Sequence, residues 1–168
     1  RGVAPVDWQH GCPEGPFGIV YVDDKTFGQC PNWTSLCLAK MRLQAKGFVV
    51  QTTARQALTL PWATLHEWGV IACELGVESY NDAILHRCRK PASCAFIDEA
   101  TRRISQAGVL VCPNILVGLD GENDATYART QLWLERCPNL GWINLYHVVD
   151  YRYGGDETVQ GHVLRTTA

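Results

Sequence analysis

Short apolar runs alternate along this chain with stretches whose apolar residues recur at helical spacing, and most runs end in acids, amides or glycine. Gly18 to Asp24 reads as a strand: four apolar residues, Ile19, Val20, Tyr21 and Val22, closed by two carboxylates. Asn32 or Thr34 is placed to cap a helix to about Lys46, with Trp33, Leu36, Cys37 and Met41 on one face and Gly47 as its stop. Phe48 to Thr53 is a second strand, and Pro61 opens a short helix ending near Gly69. Val70 to Leu75 is the third strand, followed by a helical turn through Cys88 for which Ser79 is the expected cap. Ser93 caps a longer helix with the stripe Ile97, Ala100, Ile104 and Ala107, ended by Gly108. Val109 to Val117 forms a fourth strand bent at Pro113. Asn123 caps a helix that Pro138 stops, and Trp142 to Val149 is the fifth strand.

Runs that are apolar throughout belong to strands buried on both faces, and strand–helix alternation predicts a parallel sheet with right-handed crossovers. The expected fold is therefore α/β: a partial (βα) barrel of about five parallel strands with alternating helices, too few to close a full barrel. Residues 1–17, rich in Gly and Pro and without period, read as an N-terminal arm; 18–150 carry the domain; 151–168 form a polar C-terminal tail.

Composition narrows the function. With 168 residues, 46% hydrophobic and 19% charged, the chain is long enough for one real core. A net charge of −2 with scattered cations argues against nucleic acid as a partner. No apolar stretch approaches membrane-spanning length, since Pro113-Asn114 break the best candidate, so no membrane partner is expected. Four of the eight cysteines, Cys37, Cys73, Cys88 and Cys112, sit inside apolar or helix-like segments, where free thiols pack as small hydrophobes. That placement favours a reduced, cytoplasmic protein over a disulfide scaffold. The chain opens on Arg1 with no signal sequence, which reads as a truncated, trimmed or incompletely observed N-terminus.

Polar groups gather where the apolar runs end: Asp23 and Asp24, Arg55, Glu78 and Ser79, Gly118 and Glu122. In a parallel sheet those ends share one edge, the edge at which ligands bind. Plainer readings stand beside this one. Asp23-Asp24 and Glu78-Ser79 also suit helix caps, and Gly118 to Glu122 also suits a strand-to-helix turn with Glu122 at a positive helix end. Arg55 is the cation such a mouth would use for an anionic ligand. The five histidines show no metal-binding spacing; His147 alone belongs to a strand near the mouth.

The order of these segments resembles the radical S-adenosylmethionine (SAM) superfamily, particularly its cobalamin-binding branch. Val22-Asp-Asp-Lys-Thr-Phe27 is similar to a strand end standing where other members hold the SAM amino group, and Thr52-Thr-Ala-Arg55 to the next. Gly76-Val-Glu-Ser79 matches the strand end that contacts ribose or the methionine carboxylate, with Arg87 to Lys90 echoing a following lysine. Gly118-Leu-Asp-Gly-Glu122 is similar to the loop packing the adenine, with Asp120 in the place of a proline. The resemblance implies SAM as a ligand and a 4Fe-4S cluster as the family's redox centre. The cluster motif Cys-x-x-x-Cys-x-x-Cys occurs nowhere in the chain, and only Cys12 precedes Gly18. The expectation is a truncated or degenerate radical-SAM-type domain with no cluster and no metal of its own. It would bind SAM weakly or act as a stand-alone small-molecule or nucleoside module, and would be catalytically inactive as this chain. A third reading is an interaction protein with a vestigial pocket. The strand Ile19–Val22 would then lack a neighbour, and pairing with a second copy, near Trp8 and Phe17, predicts a homodimer.

Overall fold

Each central strand turns one face to helices and one away from them, and that asymmetry organises the molecule. The computed structural model describes residues 15–148 and 165–167. Strands β1 (Ile19–Tyr21), β2 (Gly47–Thr53), β3 (Val70–Glu78), β4 (Leu110–Val117) and β5 (Asn144–His147) pair parallel in chain order. They form the curled half-barrel of five parallel strands that the apolar runs predict. A sixth strand, β6 (Arg165–Thr167), pairs antiparallel with β5; nothing in the polar tail's composition announced it. The expected arm as far as residue 14, with Trp8 and Cys12, and residues 149–164 lie outside the described residues.

Side chains alternate across a strand, and here the alternation separates a core from a polar surface. On the helix side Phe48 and Val50 of β2, Cys73, Leu75 and Val77 of β3, and Val111 of β4 are fully buried. They meet Leu85 of helix α4 (Asp82–Arg87) and Ile97, Ala100 and Ile104 of α5 (Cys94–Gln106) in one continuous cluster. Fully burying an aliphatic side chain stabilises by about 1.5–3 kcal/mol, so this layer holds the strands in place. The opposite, concave face has only a small apolar group, Val49, Ala72 and Cys112.

Caps follow the sequence signals in two helices. Ser93 Oγ accepts from Phe96 N at 3.2 Å, starting α5, and Asn123 forms a reciprocal capping box with Thr126 at the start of α6 (Asp124–Leu134). Other expectations are corrected. Helix α1 (Leu36–Leu43) is preceded by a tighter turn over Pro31–Ser35, whose three-residue period resets the phase. Leu36, Ala39 and Leu43 are buried as a result, while Met41, expected inward, is 76% exposed. Gln44, left-handed at φ 48°, ends that helix before Gly47, which already belongs to β2. A short helix α2 (Ala54–Ala57) follows β2 directly, and α3 (Trp62–Glu67) follows Pro61 as expected. Ser79 caps nothing: β3 runs on to Glu78, and Asn81 caps α4, accepting from Ala83 N at 3.0 Å and Ile84 N at 3.3 Å.

Candidate functional site at the strand ends

Because β1 to β5 are parallel, the segments after β1, β2, β3 and β4 emerge at one edge of the sheet. The candidate residues all lie on these segments, and the structure groups them in two sets. The first set is Asp23, Asp24 and Arg55. Asp24 Oδ1 accepts from Thr26 N at 3.0 Å, which folds the loop after β1, and Asp23 is exposed. That loop is tied to the end of β2 by Thr52 Oγ1, donating to Phe27 O at 2.9 Å, and by Gln56 Nε2, donating to Gly28 O at 3.0 Å. Arg55 sits in α2 rather than at a bare strand end, because Thr53 Oγ1 caps that helix by accepting from Gln56 N. Its side chain is exposed and makes no ion pair among the described residues.

The second set is at the end of β3, where the backbone is irregular. The register against β4 slips between Gly76 and Glu78, and Glu78 has φ 66°. A bulge re-aims side chains, and a non-glycine residue held at positive φ stores strain of order 1–3 kcal/mol, a cost concentrated at functional positions. The re-aimed Glu78 carboxylate takes an ion pair from Lys90 Nζ at 3.2 Å. Ser79 is 1% exposed, and its Oγ has no hydrogen-bond partner among the described residues. A buried hydroxyl left unpaired costs about 1–3 kcal/mol.

The loop after β4 lies against Arg87 of α4. Glu122 Oε2 accepts from Gly118 N and Leu119 N, both at 2.8 Å, and from Tyr127 Oη at 3.0 Å. Glu122 is therefore committed to shaping its own turn. Arg87 from α4 crosses this loop, 3.6 Å from Asp120 Oδ2. It lies so close to Gly121 (φ 86°) that a Cβ there would stand 2.6 Å from Nη1. The His147 ring, near the end of β5, lies beside Gly118. This loop presents backbone, a half-buried Leu119 and the exposed Asp120–Arg87 pair.

Sequence reading missed a polar set on the concave face below these loops. Tyr21 Oη donates to Glu74 Oε2 at 2.8 Å and lies 3.3 Å from Gln51 Oε1; Asn144 Nδ2 donates to Asn114 Oδ1 at 2.8 Å. Glu74, Asn114 and Asn144 are each buried. The available signal was their position: an acid or amide inside an otherwise apolar strand has to find a partner.

Thiols do not contribute a metal centre among the described residues, where no three Cys, His, Asp or Glu side chains converge. Burial pushes the Cys112 thiol up to about 12 and those of Cys94 and Cys137 up to about 11, and raises Cys73 well above its ordinary value. These four are neutral, packed hydrophobes rather than ligands.

No protein-family model matches the chain. Protein YhcC of Escherichia coli strain K12 is 35% identical over 68 residues, 40% of this chain and 21% of that protein. An uncharacterised YhcC of E. coli O157:H7 matches equally. The chain thus spans about a fifth of the curated relatives it matches. Among solved structures, methylornithine synthase (PylB) superimposes with a TM-score of 0.60 at 18% identity, over 80% of this chain and 40% of that one. Coproporphyrinogen III oxidase (HemN) from E. coli, a radical SAM enzyme, gives 0.56 at 13% identity, over 68% and 27%. The cobalamin-dependent SAM radical enzyme OxsB gives 0.52 at 20% identity, over 70% and 19%. On these likenesses the fold of this chain is the radical-SAM-type partial barrel.

Proposed function

We propose that the C-terminal edge of the sheet binds SAM or a related nucleoside. The observation that carries this reading is the end of β3: a bulge, a strained Glu78 and a buried, unpartnered Ser79 hydroxyl fall on two adjacent residues. Proteins leave such costs in place where a ligand will use the groups. In this reading Ser79 and Glu78 take the ribose or the amino-acid end, Lys90 meets the carboxylate, and the loop from Gly118 to Glu122 supplies the adenine surface. Asp23, Asp24 and Arg55 form the opposite rim. Calorimetric titration of the full chain with SAM and with S-adenosylhomocysteine tests it. Weak, saturable binding is expected, lost in Glu78→Gln; a flat trace at millimolar ligand refutes it.

Radical chemistry on SAM is supplied by a 4Fe-4S cluster held by three thiolates, which leave one iron open. The described cysteines do not fit that donor set. The chain by itself is proposed to bind without turnover, in the reducing cytoplasm. Iron stoichiometric with the chain after anaerobic reconstitution would overturn the non-catalytic part of this reading.

A second reading concerns assembly. Strand β1 is the sheet edge among the described residues, with Ile19 66% and Tyr21 44% exposed. On α1, Leu38 and Met41 are 54% and 76% exposed. An apolar strand edge is normally covered, and the occupant proposed is a second copy of the chain. Light scattering at micromolar concentration should report a dimer that Ile19→Lys converts to monomer; a wild-type monomer removes this reading.

A further inference from the structure

The strained turn at the mouth is followed directly by a residue that grips both outer helices. Tyr80 N–H donates to Thr130 Oγ1 of α6 at 3.1 Å, and Tyr80 Oη donates to Asp98 Oδ2 of α5 at 2.8 Å. The Tyr80 ring stacks on Trp133 of α6 with centroids 5.2 Å apart, and the Arg129 guanidinium stands 5.7 Å from its centroid. Asp98 also accepts from Trp133 Nε1 at 3.1 Å. Both of these donors are neutral, so the carboxylate keeps its charge, and a hydrogen bond to a charged acceptor is about twice as strong as one between neutral groups. Two residues further on, Asp82 Oδ1 accepts from Cys94 N at 2.7 Å and ties the start of α4 to the start of α5.

Glu78, at φ 66°, can leave its strained conformation only if one end of the turn moves. The upstream end cannot, because Val77 is fully buried in the sheet. Relaxation therefore has to pass through Tyr80. Its backbone bond to a threonine hydroxyl joins neutral groups, whereas the bond from its phenol to Asp98 has a charged acceptor and fixes the ring against rotation. The Tyr80 side chain is spent on α5 and α6, so it can act on a ligand at the mouth only through the turn it holds.

We propose that Tyr80 is a positioning residue of the mouth: its hydroxyl, latched to Asp98, holds Glu78 and Ser79 in the conformation that meets a ligand. The ligand half of this inference rests on the SAM reading above. The test compares full-length wild type with Tyr80→Phe, which keeps the ring and loses the latch, and with Ile104→Val, an ordinary truncation in the buried face of α5. Hydrogen exchange in the ligand-free chain reads the turn through Ser79 N–H, bonded to Val77 O at 2.8 Å, and Tyr80 N–H. Both amides should exchange about tenfold faster in Tyr80→Phe, the scale of one hydrogen bond to a carboxylate. In Ile104→Val they should keep their wild-type rates, while the core amides of Cys73 and Leu75, which open only with the whole fold, speed up. Unchanged turn amides in Tyr80→Phe, or equal acceleration of them in Ile104→Val, overturn the proposal. Calorimetric titration with SAM then reads the ligand half: Tyr80→Phe should bind about tenfold more weakly than wild type, and Ile104→Val as wild type does. Equal SAM affinity in wild type and Tyr80→Phe overturns the positioning role. A flat titration of wild type alongside accelerated turn amides in Tyr80→Phe alone removes the SAM reading and supports the latch.

Discussion

Replacing Ser79 by alanine separates a ligand-directed hydroxyl from a merely structural one. The side chain is 1% exposed and its Oγ has no partner among the described residues, so the folded chain bears the desolvation of a hydroxyl without a bond in return. Such a group costs about 1–3 kcal/mol. Removing one oxygen forfeits a few contacts of about 0.1–0.2 kcal/mol each, so Ser79→Ala should stabilise the ligand-free chain by about 1–2 kcal/mol. For a chain of this size that raises Tm by about 2–8 °C. Urea unfolding with and without SAM measures both consequences. The wild type should gain stability from SAM by linkage, and the variant, more stable alone, should gain less or nothing. If Ser79→Ala instead lowers stability by 1 kcal/mol or more (about the worth of an ordinary hydrogen bond), the hydroxyl is satisfied in the fold and the argument for the site fails.

Two further outcomes follow from the ionisable groups. Tyr80 is pushed up to about 12 by burial and by its hydrogen bond to Asp98. A folded pKa above the ordinary value means the contribution of the neutral phenol is whole below about pH 10 and is lost as pH rises towards 12. The stability advantage of wild type over Tyr80→Phe, which keeps the stack on Trp133, should therefore be present at about pH 9 and vanish near pH 12; a pH-independent difference contradicts this. Thiol labelling under native conditions at about pH 8 should modify the partly exposed Cys30, Cys37 and Cys88 and spare buried Cys73, Cys94, Cys112 and Cys137 until the chain unfolds. Fast labelling of Cys112, read by peptide mapping, would show that the concave face is open in a way its burial does not allow.

The strands were legible because a parallel sheet writes itself as largely apolar runs, and Val70 to Leu75 or Val109 to Val117, each interrupted by one polar residue, admit few other readings. The α5 stripe was equally plain: Ile97, Ala100 and Ile104 are all buried. What failed was local phase. Nothing in Pro-Asn-Trp-Thr-Ser reveals that the first turn of the helix is tight, yet that turn decides whether Leu38 and Met41 face the core or the solvent. Glu122 illustrates a different limit. Its position after a Gly-x-x-Gly stretch suits a ligand contact and a turn equally, and only the 2.8 Å bonds to Gly118 N and Leu119 N decide for the turn. Glu74, Asn114 and Asn144 went unread because their partners lie on other strands, 30 or more residues away for the bonds seen here.

The costs and the supports of this fold are segregated, and the segregation bears on function. Below the mouth, β2, β3 and β4 are clamped by a continuous core in which Phe48, Leu75, Val77 and Ile97 are each under 1% exposed. At the mouth, within two residues of the end of that same β3, the register slips, Glu78 takes a left-handed conformation and Ser79 loses its partner. A strained turn of this kind persists only when its surroundings over-determine it. Here the over-determination comes from Val77, fully buried beside Glu78, and from Tyr80, whose N–H donates to Thr130 Oγ1 at 3.1 Å. The two strained residues are thus held from both sides by well-packed neighbours, one in the sheet and one against α6. This turn is fastened at both ends, with the Glu78 carboxylate paired to Lys90 and the Ser79 hydroxyl left without a hydrogen-bond partner among the described residues.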